Sequence, residues 1–220
     1  MKLIFKKFRR TLLAFALAIL ASWIFAEEMQ ALAETDKQTA TAIFAGGCFW
    51  CMEPPFDKVE GVIATTSGYT GGHTENPTYK QVSSDTTGHY EAIEVTYDPS
   101  IIDYVSLLSI FWHNVDPLDS QGQFCDKGNS YRTAIFYNND EQRELAQDSK
   151  KELVDSDYFK EDVVTVIESA KTFYPAESYH QNYYQKNPVR YKYYRFACGR
   201  DARLEELWKD SAGKGGVLIP

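Results

Sequence analysis

Basic residues and cysteines are scarce in this sequence, and it has no internal repeat or low-complexity tract. Its 220 residues carry 23 Lys and Arg against 31 Asp and Glu, so the formal net charge is −8 at pH 7. This excess of negative charge disfavours nucleic acid and anionic membranes as partners. Without a repeat or a linker beyond the N-terminal segment, the chain predicts one domain with a sizeable core. We expect that domain to be a monomer.

A long apolar run occurs only near the N-terminus. Five basic residues within Lys2–Arg10 precede an apolar run over Thr11–Phe25, and Ala31–Ala33 forms a small-x-small cleavage site. This pattern is typical of a signal peptide. It predicts cleavage near Ala33, with residues 1–33 as the signal peptide, residues 34–220 as the exported domain and the periplasm as the compartment. An uncleaved membrane anchor is the alternative, although the run is shorter than a full span.

The four cysteines are Cys48, Cys51, Cys125 and Cys198. In an exported protein the default interpretation is two structural disulfides. A Cys48–Cys51 bridge, however, closes almost no loop and would stabilise little, and an accessible Cys-x-x-Cys is more often catalytic. A zinc site of all four is disfavoured because structural zinc usually takes two close pairs, and Cys125 and Cys198 are isolated in the sequence.

The Cys-x-x-Cys lies where a β-like run, Thr41–Ala45, passes through two glycines into a candidate helix. The glycines permit a tight turn. Free N–H groups at a helix start favour negative charge, so we expect Cys48 to be a nucleophilic thiolate. Cys51, one turn later, can form a disulfide with it if the backbone adjusts, and Phe49 and Trp50 place aromatic surface beside the sulfur. The stretch predicts a redox site.

A second candidate group is a carboxyl on the strand predicted over Tyr90–Tyr97. Ile93 and Val95 share one face of that strand, and the period of two puts Glu91 on the same apolar side. A desolvated carboxyl has a raised pKa and stays protonated near neutral pH, as a general acid requires. The alternative is that Glu91 reaches solvent or pairs with Arg132 or a lysine.

Strands and helices interleave along the rest of the chain. We expect the helix to break after one short turn over Cys48–Cys51 and then to begin again, because Pro54 and Pro55 each remove a backbone donor. The pattern favours an α+β fold, a two-layer α/β sandwich with a ferredoxin-like core and a mixed sheet. The other predicted strands are Val62–Ser67, Tyr131–Tyr137 and Val163–Ile167, and the predicted helices are Ile101–His113 with a Ser100 and Asp103 capping box, Glu141–Leu153, Gln181–Lys186 and Asp201–Trp208.

Six motifs in this order resemble the A-type peptide methionine sulfoxide reductases over roughly Thr41–Trp208. Together they are a specific signal, whereas a lone Cys-x-x-Cys is a weak one. The first, Gly47–Glu53, is similar to the family signature in its variant with cysteine where glycine is commoner. The others are Gly68–Gly72, Asn76–Tyr79, Gly88–Ala92, Asp126–Gly128 with Ser130–Arg132, and Phe173–Glu177.

The resemblance implies a role for each matching residue. Cys48 would attack the sulfoxide sulfur of methionine S-sulfoxide, free or in proteins, and Glu91 would give a proton to the oxygen. The chemistry agrees, because a neutral sulfoxide is a poor electrophile and needs both a thiolate and an acid. The remaining implied site residues are Tyr79 and Tyr131, which hold the oxygen, Asp126, which holds water or substrate, and Phe49 and Trp50, which line the S-methyl pocket.

Oxygen transfer would leave a sulfenic acid on Cys48, which a nearby thiol converts to a disulfide. We favour Cys51 as this resolving cysteine, with Cys198 and Cys125 as alternatives for resolution, a second exchange or a structural role. An oxidising compartment does not reduce the disulfide unaided, so a thioredoxin-like reductant is the expected partner. No metal and no cofactor is expected. The reaction would repair oxidative damage to methionine.

Two other functions compete with this one. A thioredoxin-like protein dithiol/disulfide oxidoreductase would use the Cys-x-x-Cys but gives no role to Glu91. A non-enzymatic peptide-binding module would use only the aromatic surface of Phe49 and Trp50, and it would work without Cys48.

Overall fold

The computed structural model describes residues 39–215, so the predicted signal peptide, 1–33, lies outside the described residues. Within 39–215, no helix combines the length and apolar character that a membrane crossing requires. The strands are β1 (Ala40–Gly46), β2 (Val62–Thr70), β3 (Tyr90–Tyr97), β4 (Gly122–Gln123), β5 (Asp126–Lys127), β6 (Thr133–Tyr137), β7 (Val166–Ser169) and β8 (Tyr174–Pro175). The α-helices are α1 (Phe49–Asp57), α2 (Tyr79–Val82), α3 (Tyr104–Trp112), α4 (Asp140–Asp155), α5 (Tyr183–Lys186), α6 (Pro188–Ala197) and α7 (Arg200–Trp208).

Six strands form one mixed sheet in the order β7-β6-β1-β3-β2-β8. The four central neighbours pair antiparallel, while β7 pairs parallel with β6. The chain path β1-α1-β2-β3-α3-β6 is the βαββαβ arrangement of a ferredoxin-like core. The prediction of an α+β sandwich with a mixed sheet is confirmed.

The main core lies between the sheet and helices α1 and α3. The ring of Phe44 on β1 stacks on Phe56 of α1 at 5.4 Å and on Phe111 of α3 at 5.2 Å. On the other face of the same strand, Ile43 packs in a second buried cluster that includes Phe136 of β6. Both faces of β1 are therefore buried, which holds the end of this strand, where the Cys-x-x-Cys begins, in a fixed place.

Helix α1 is continuous from Phe49 to Asp57, so the predicted break at Pro54 and Pro55 is wrong. Proline inside a helix costs roughly 3 kcal/mol because it removes a backbone donor and crowds the preceding turn. Phe56 is fully buried in the main core, and burying such a side chain contributes about 1.5–3 kcal/mol. Core packing of the last turn therefore offsets much of the cost of the prolines.

Helix α3 begins at Tyr104, not at Ile101, so the predicted capping box is wrong. Asp103 is the N-cap and accepts a hydrogen bond from the Ser106 N–H at 2.7 Å. The Ser100 hydroxyl instead donates to Asp98, in the turn that ends β3. Local side chain to backbone bonding of this kind competes with helix formation, which explains the later start.

Two smaller boundaries also differ from the prediction. Tyr131 closes a short 3₁₀ turn over Asn129–Tyr131, and strand β6 starts only at Thr133. Strand β7 begins at Val166 rather than Val163. The first difference matters for the site, because Tyr131 belongs to a turn and its side chain is not bound to the alternating directions of strand β6.

Candidate active site

Cys48 occupies the N-cap of helix α1, directly after the turn that ends strand β1. The preceding Gly47 has a φ of +79°, which L side chains rarely adopt, and a Cβ there would lie 2.5 Å from Cβ of Gln123. Glycine is therefore required for both conformation and space. The turn buries Cys48, whose side chain is 6% exposed.

Cys48 and Cys51 lie together in this first turn, where the Cys51 N–H donates to the Cys48 carbonyl at 3.0 Å, and their thiols interact electrostatically. Burial raises the pKa of Cys48 well above its ordinary value. The interaction with the Cys48 thiol, together with the positive charges of Arg200 and Arg195, lowers the pKa of Cys51 to about 7 against the opposing effect of burial. Burial therefore opposes the thiolate that the helix start favours at Cys48, whereas the surroundings of Cys51 favour its anionic form.

Glu91 lies on the apolar side of β3, as the alternation of that strand predicts, and it is 1% exposed. Its Oε2 accepts a hydrogen bond from the Phe49 N–H at 3.2 Å, which places the carboxyl at the start of α1 beside Cys48. Burial raises the pKa of Glu91 to about 8, against the opposing effect of the Phe49 bond. At neutral pH the carboxyl is therefore largely protonated and can act as an acid.

Tyr79 and Tyr131 line the same pocket as the Glu91 carboxyl. Burial raises the pKa of Tyr79 to about 12 and that of Tyr131 still further. Both hydroxyls stay neutral and can donate hydrogen bonds to an oxygen atom placed near Glu91.

Asp126, on the short strand β5, lines the same site. The Tyr194 hydroxyl of helix α6 donates to Asp126 Oδ2. Burial raises the pKa of Asp126. Sequence reasoning placed Asp126 in the site but missed Tyr194, which no motif marks.

Cys125 and Cys198 form a disulfide with each other, with an S–S distance of 2.03 Å. The sulfur of Cys198 lies 3.9 Å from Asp126 Oδ2, so this bridge borders the site. The three residues together have metal-ligand spacing, but bonded sulfurs are not the thiolates that a metal such as zinc binds. The group therefore fits a redox or structural bridge rather than a metal centre.

The predicted residues converge on one small pocket of about 80 Å³. Pockets that enclose drug-sized ligands have roughly 300–1,000 Å³, so this pocket takes only the end of a side chain. A larger cavity of about 720 Å³, bounded in part by Pro55, Ile102 and Tyr191, contains none of the predicted catalytic side chains. The small pocket is lined by Cys48, Phe49, Trp50, Tyr79, Glu91, Asp126, Tyr131 and Tyr194.

Aromatic rings build the wall beside Cys48. Trp50 stacks on Tyr183 with ring centroids 3.7 Å apart, and its Nε1–H donates to His180 Nδ1 at 3.0 Å. His180 is buried against the rings of Phe49 and Tyr79, at 4.9 Å and 4.5 Å. Since Nδ1 accepts and burial lowers the pKa of His180, the imidazole is neutral. His180 therefore orients the wall and was not identified from the sequence.

Two further buried polar residues hold the helix that carries the cysteines. Glu53 Oε1 accepts hydrogen bonds from the Ser67 hydroxyl at 3.0 Å and the Asn182 N–H at 3.2 Å. Arg200 Nη2 donates to the Gly46 carbonyl at 3.2 Å. Glu53 stands within the signature, but nothing local to Arg200 marks it as a site residue.

The comparisons with known proteins all lead to the same family. The family model described as "Peptide methionine sulfoxide reductase" matches residues 40–212. The chain is 56% identical over 167 residues to the peptide methionine sulfoxide reductase MsrA of Bacillus licheniformis, covering 76% of this chain and 92% of that protein. It is 54% identical over 172 residues to the MsrA of Bacillus subtilis, covering 78% and 96%.

Solved structures agree with the sequence matches. Reduced Mxr1 from Saccharomyces cerevisiae aligns with a TM-score of 0.65 at 31% identity, covering 70% of this chain and 88% of that one. Methionine sulfoxide reductase A of Corynebacterium diphtheriae aligns with a TM-score of 0.61 at 31% identity, covering 69% and 76%. The resemblance inferred from the six motifs is confirmed, and the chain belongs to the peptide methionine sulfoxide reductase family.

Proposed function

We propose that this protein reduces methionine S-sulfoxide, free or within proteins, to methionine, with Cys48 as nucleophile and Glu91 as proton donor. The observation that carries the proposal is the place of the Glu91 carboxyl. It is buried, its pKa is raised to about 8, and it is hydrogen-bonded at 3.2 Å to the residue that follows Cys48. A thiol and a neutral carboxylic acid thus face one pocket that fits a methylsulfinyl group.

The first step uses the thiol pair and the acid together. A proton moves from Cys48 Sγ to Cys51 Sγ, and the Cys48 thiolate attacks the sulfoxide sulfur. The sulfoxide oxygen takes a proton from Glu91 while the hydroxyls of Tyr79 and Tyr131 donate hydrogen bonds to it. The oxygen then transfers to Cys48, so one thiolate, one sulfoxide and one proton become a sulfenic acid and methionine.

Cys51 resolves the sulfenic acid in the second step. Its thiol, one helical turn away, attacks Cys48 Sγ, the S–O bond breaks, and the oxygen leaves as water. The product is a Cys48–Cys51 disulfide, and the two electrons that reduced the sulfoxide have come from the two thiols.

The enzyme's own thiols are buried, with Cys48 6% and Cys51 2% exposed, whereas Cys125 is exposed. We infer that electrons from a thioredoxin-like dithiol enter at Cys125–Cys198. The resulting Cys198 thiol then exchanges with the Cys48–Cys51 disulfide, which restores both active-site thiols and re-forms Cys125–Cys198. Cys198 Sγ lies 3.9 Å from the carboxylate of Asp126, which lines the pocket, and this position supports the route.

Export to the periplasm, cleavage near Ala33 and a monomeric mature domain are part of the proposal. Export and cleavage are supported by the basic, apolar and small-x-small pattern within residues 1–33, which is typical of a signal peptide. Intact mass of the protein recovered from the periplasm tests cleavage, with a chain that starts at Glu34 as the expected product. Light scattering of that product tests the monomer.

The test of the reaction is mass spectrometry of the protein starting at Glu34, with reduced Cys48 and Cys51, after one equivalent of racemic methionine sulfoxide and no added reductant. The expected products are methionine and a Cys48–Cys51 disulfide. Methionine formed with a cross-link from Cys48 to Cys198 would keep the reaction and replace Cys51 as the resolver. Absence of methionine would refute the proposed function.

A further inference from the structure

Helix α6 carries a row of exposed apolar side chains on one face. Val189 is 82% exposed, Tyr193 74% and Phe196 83%. Their spacing of i, i+4 and i+7 places them one above another along the helix. Single exposed apolar residues are common, but a contiguous exposed row marks an interaction surface. We call Val189, Tyr193 and Phe196 the α6 row.

The charge around the α6 row is positive, although the whole chain has a net charge of −8. Arg190 and Lys192 are exposed on the same helix, and neither has an ion-pair partner among residues 39–215. Helix α6 itself contains no acidic residue. The surface therefore complements a partner whose apolar patch is flanked by carboxylates.

The position of the α6 row relates it to the electron entry point. Helix α6 ends at Ala197, and the next residue is Cys198 of the disulfide. Phe196, at the end of the row, is thus two residues from a bridge whose other half, Cys125, is exposed. A partner protein bound to the α6 row would therefore lie directly beside this disulfide.

We propose that the α6 row is the docking surface for the dithiol protein that reduces the Cys125–Cys198 bridge. This rests on the proposed function, which requires such a reductant. One thiolate of the docked dithiol attacks Cys125 Sγ, the Cys125–Cys198 bond breaks, and Cys198 leaves as a thiolate that takes a proton. The second thiol of the partner then attacks the mixed disulfide, which releases Cys125 as a thiol and leaves the partner oxidised.

The competing occupant is the oxidised protein substrate, which would also favour an apolar surface. The methionine sulfoxide of a substrate has to reach Cys48, whereas the reductant has to reach the Cys125–Cys198 bridge, where the α6 row ends. The position of the row therefore favours the reductant. The two occupants predict different kinetics, because a small thiol replaces the reductant but not the substrate.

The test compares a Val189→Ser, Tyr193→Ser, Phe196→Ser variant with the wild type and with Val154→Ser. Val154 is 54% exposed on helix α4 and serves as a matched control. Turnover is measured on free methionine sulfoxide and on a methionine sulfoxide peptide. Each substrate is run with dithiothreitol and with a bacterial thioredoxin regenerated by thioredoxin reductase and NADPH. Thermal unfolding checks that the triple variant is folded.

We expect the triple variant to raise the KM for thioredoxin by about tenfold or more, as loss of an apolar docking patch does. Its dithiothreitol-driven rates on both substrates should stay within about twofold of wild type. The control should match wild type throughout. An unchanged KM for thioredoxin, or wild-type enzyme that thioredoxin does not reduce, would overturn the proposal.

A different pattern of lost activity in the triple variant would show that the α6 row binds the protein substrate. If the dithiothreitol-driven rate on the peptide falls while the rate on free methionine sulfoxide is kept, the α6 row binds protein substrate, and the proposal is wrong. Absence of turnover by the wild type with either reductant would instead contradict the proposed function itself.

Discussion

Arg200 Nη2 donates a hydrogen bond to the backbone carbonyl of Gly46, 3.2 Å away, and so ties the C-terminal helix α7 to the turn that presents Cys48. The same nitrogen donates to the Asn114 carbonyl at 2.6 Å. Arg200 is fully buried, and its positive charge lowers the pKa of Cys51. The Arg200 side chain therefore holds the turn before Cys48 in place, and its positive charge favours the thiolate form of Cys51.

Replacing Arg200 by Met should destabilise the protein and impair the thiol pair. Two buried carbonyls lose a charged donor, which typically costs about 2–4 kcal/mol of unfolding free energy. Arg143→Met is the control, because Arg143 forms an ion pair with the exposed Asp140, and such pairs contribute less than about 1 kcal/mol. Denaturant unfolding measures both, and equal losses in the two variants would contradict the role of Arg200.

Glu91→Gln should abolish most of the reaction while leaving the fold intact. Glutamine keeps the shape and the bond to the Phe49 N–H but does not supply a proton to the sulfoxide oxygen. Loss of a general acid costs roughly 10²–10⁴-fold in rate. Glu94→Gln, three residues along β3 on the other face, is the matched control and should keep activity. Single-turnover methionine formation is the measurement, and similar rates in the two variants would remove Glu91 from the mechanism.

The rate on methionine sulfoxide should depend on pH in a bell shape. The thiol pair must lose one proton, and the pKa of Cys51 is about 7. Glu91 must keep its proton, and its pKa is about 8. The rate should therefore rise as pH approaches 7 and fall as pH passes 8, with apparent values that belong to the coupled groups. A profile of kcat/KM that keeps rising to pH 10 would contradict the acid role of Glu91.

Glu53 should make stability depend on pH. Burial raises its pKa to about 7, above its ordinary value of 4.5. The folded protein therefore holds a proton that the unfolded chain releases. The resulting stabilisation is fully present below about pH 4.5 and is lost as pH rises through 7. Glu53→Gln should reduce this decline in unfolding free energy, whereas a change at the exposed Glu161 should not, as denaturant titrations at pH 5 and pH 8 can measure.

Much of the site could be predicted from local pattern. Alternation along Tyr90–Tyr97 placed Glu91 on the buried side, because the side-chain period of a strand is fixed by its geometry. The glycines before Cys48 indicated a tight strand-to-helix turn, and Gly47 has the positive φ that such a turn requires. These features depend on neighbours in sequence.

Other properties depend on contacts between distant segments, and no local pattern encodes them. Cys125 and Cys198 are 73 residues apart and meet only because α6 returns to the β4–β5 hairpin. Tyr194 and Arg200 reach the site from the same C-terminal region.

The sequence by itself determined the family, the α+β fold class and the place of Cys48 and Cys51 at a strand-to-helix turn, since motif order and side-chain periodicity are local properties. Only the tertiary structure decided how the surroundings shift the pKa values of these two thiols. The start of a helix favours a thiolate at Cys48, but burial opposes it and the arginines of α6 and α7 favour charge on Cys51. Desolvation and long-range charge depend on which segments pack around an atom, so they follow from the fold and not from its local sequence.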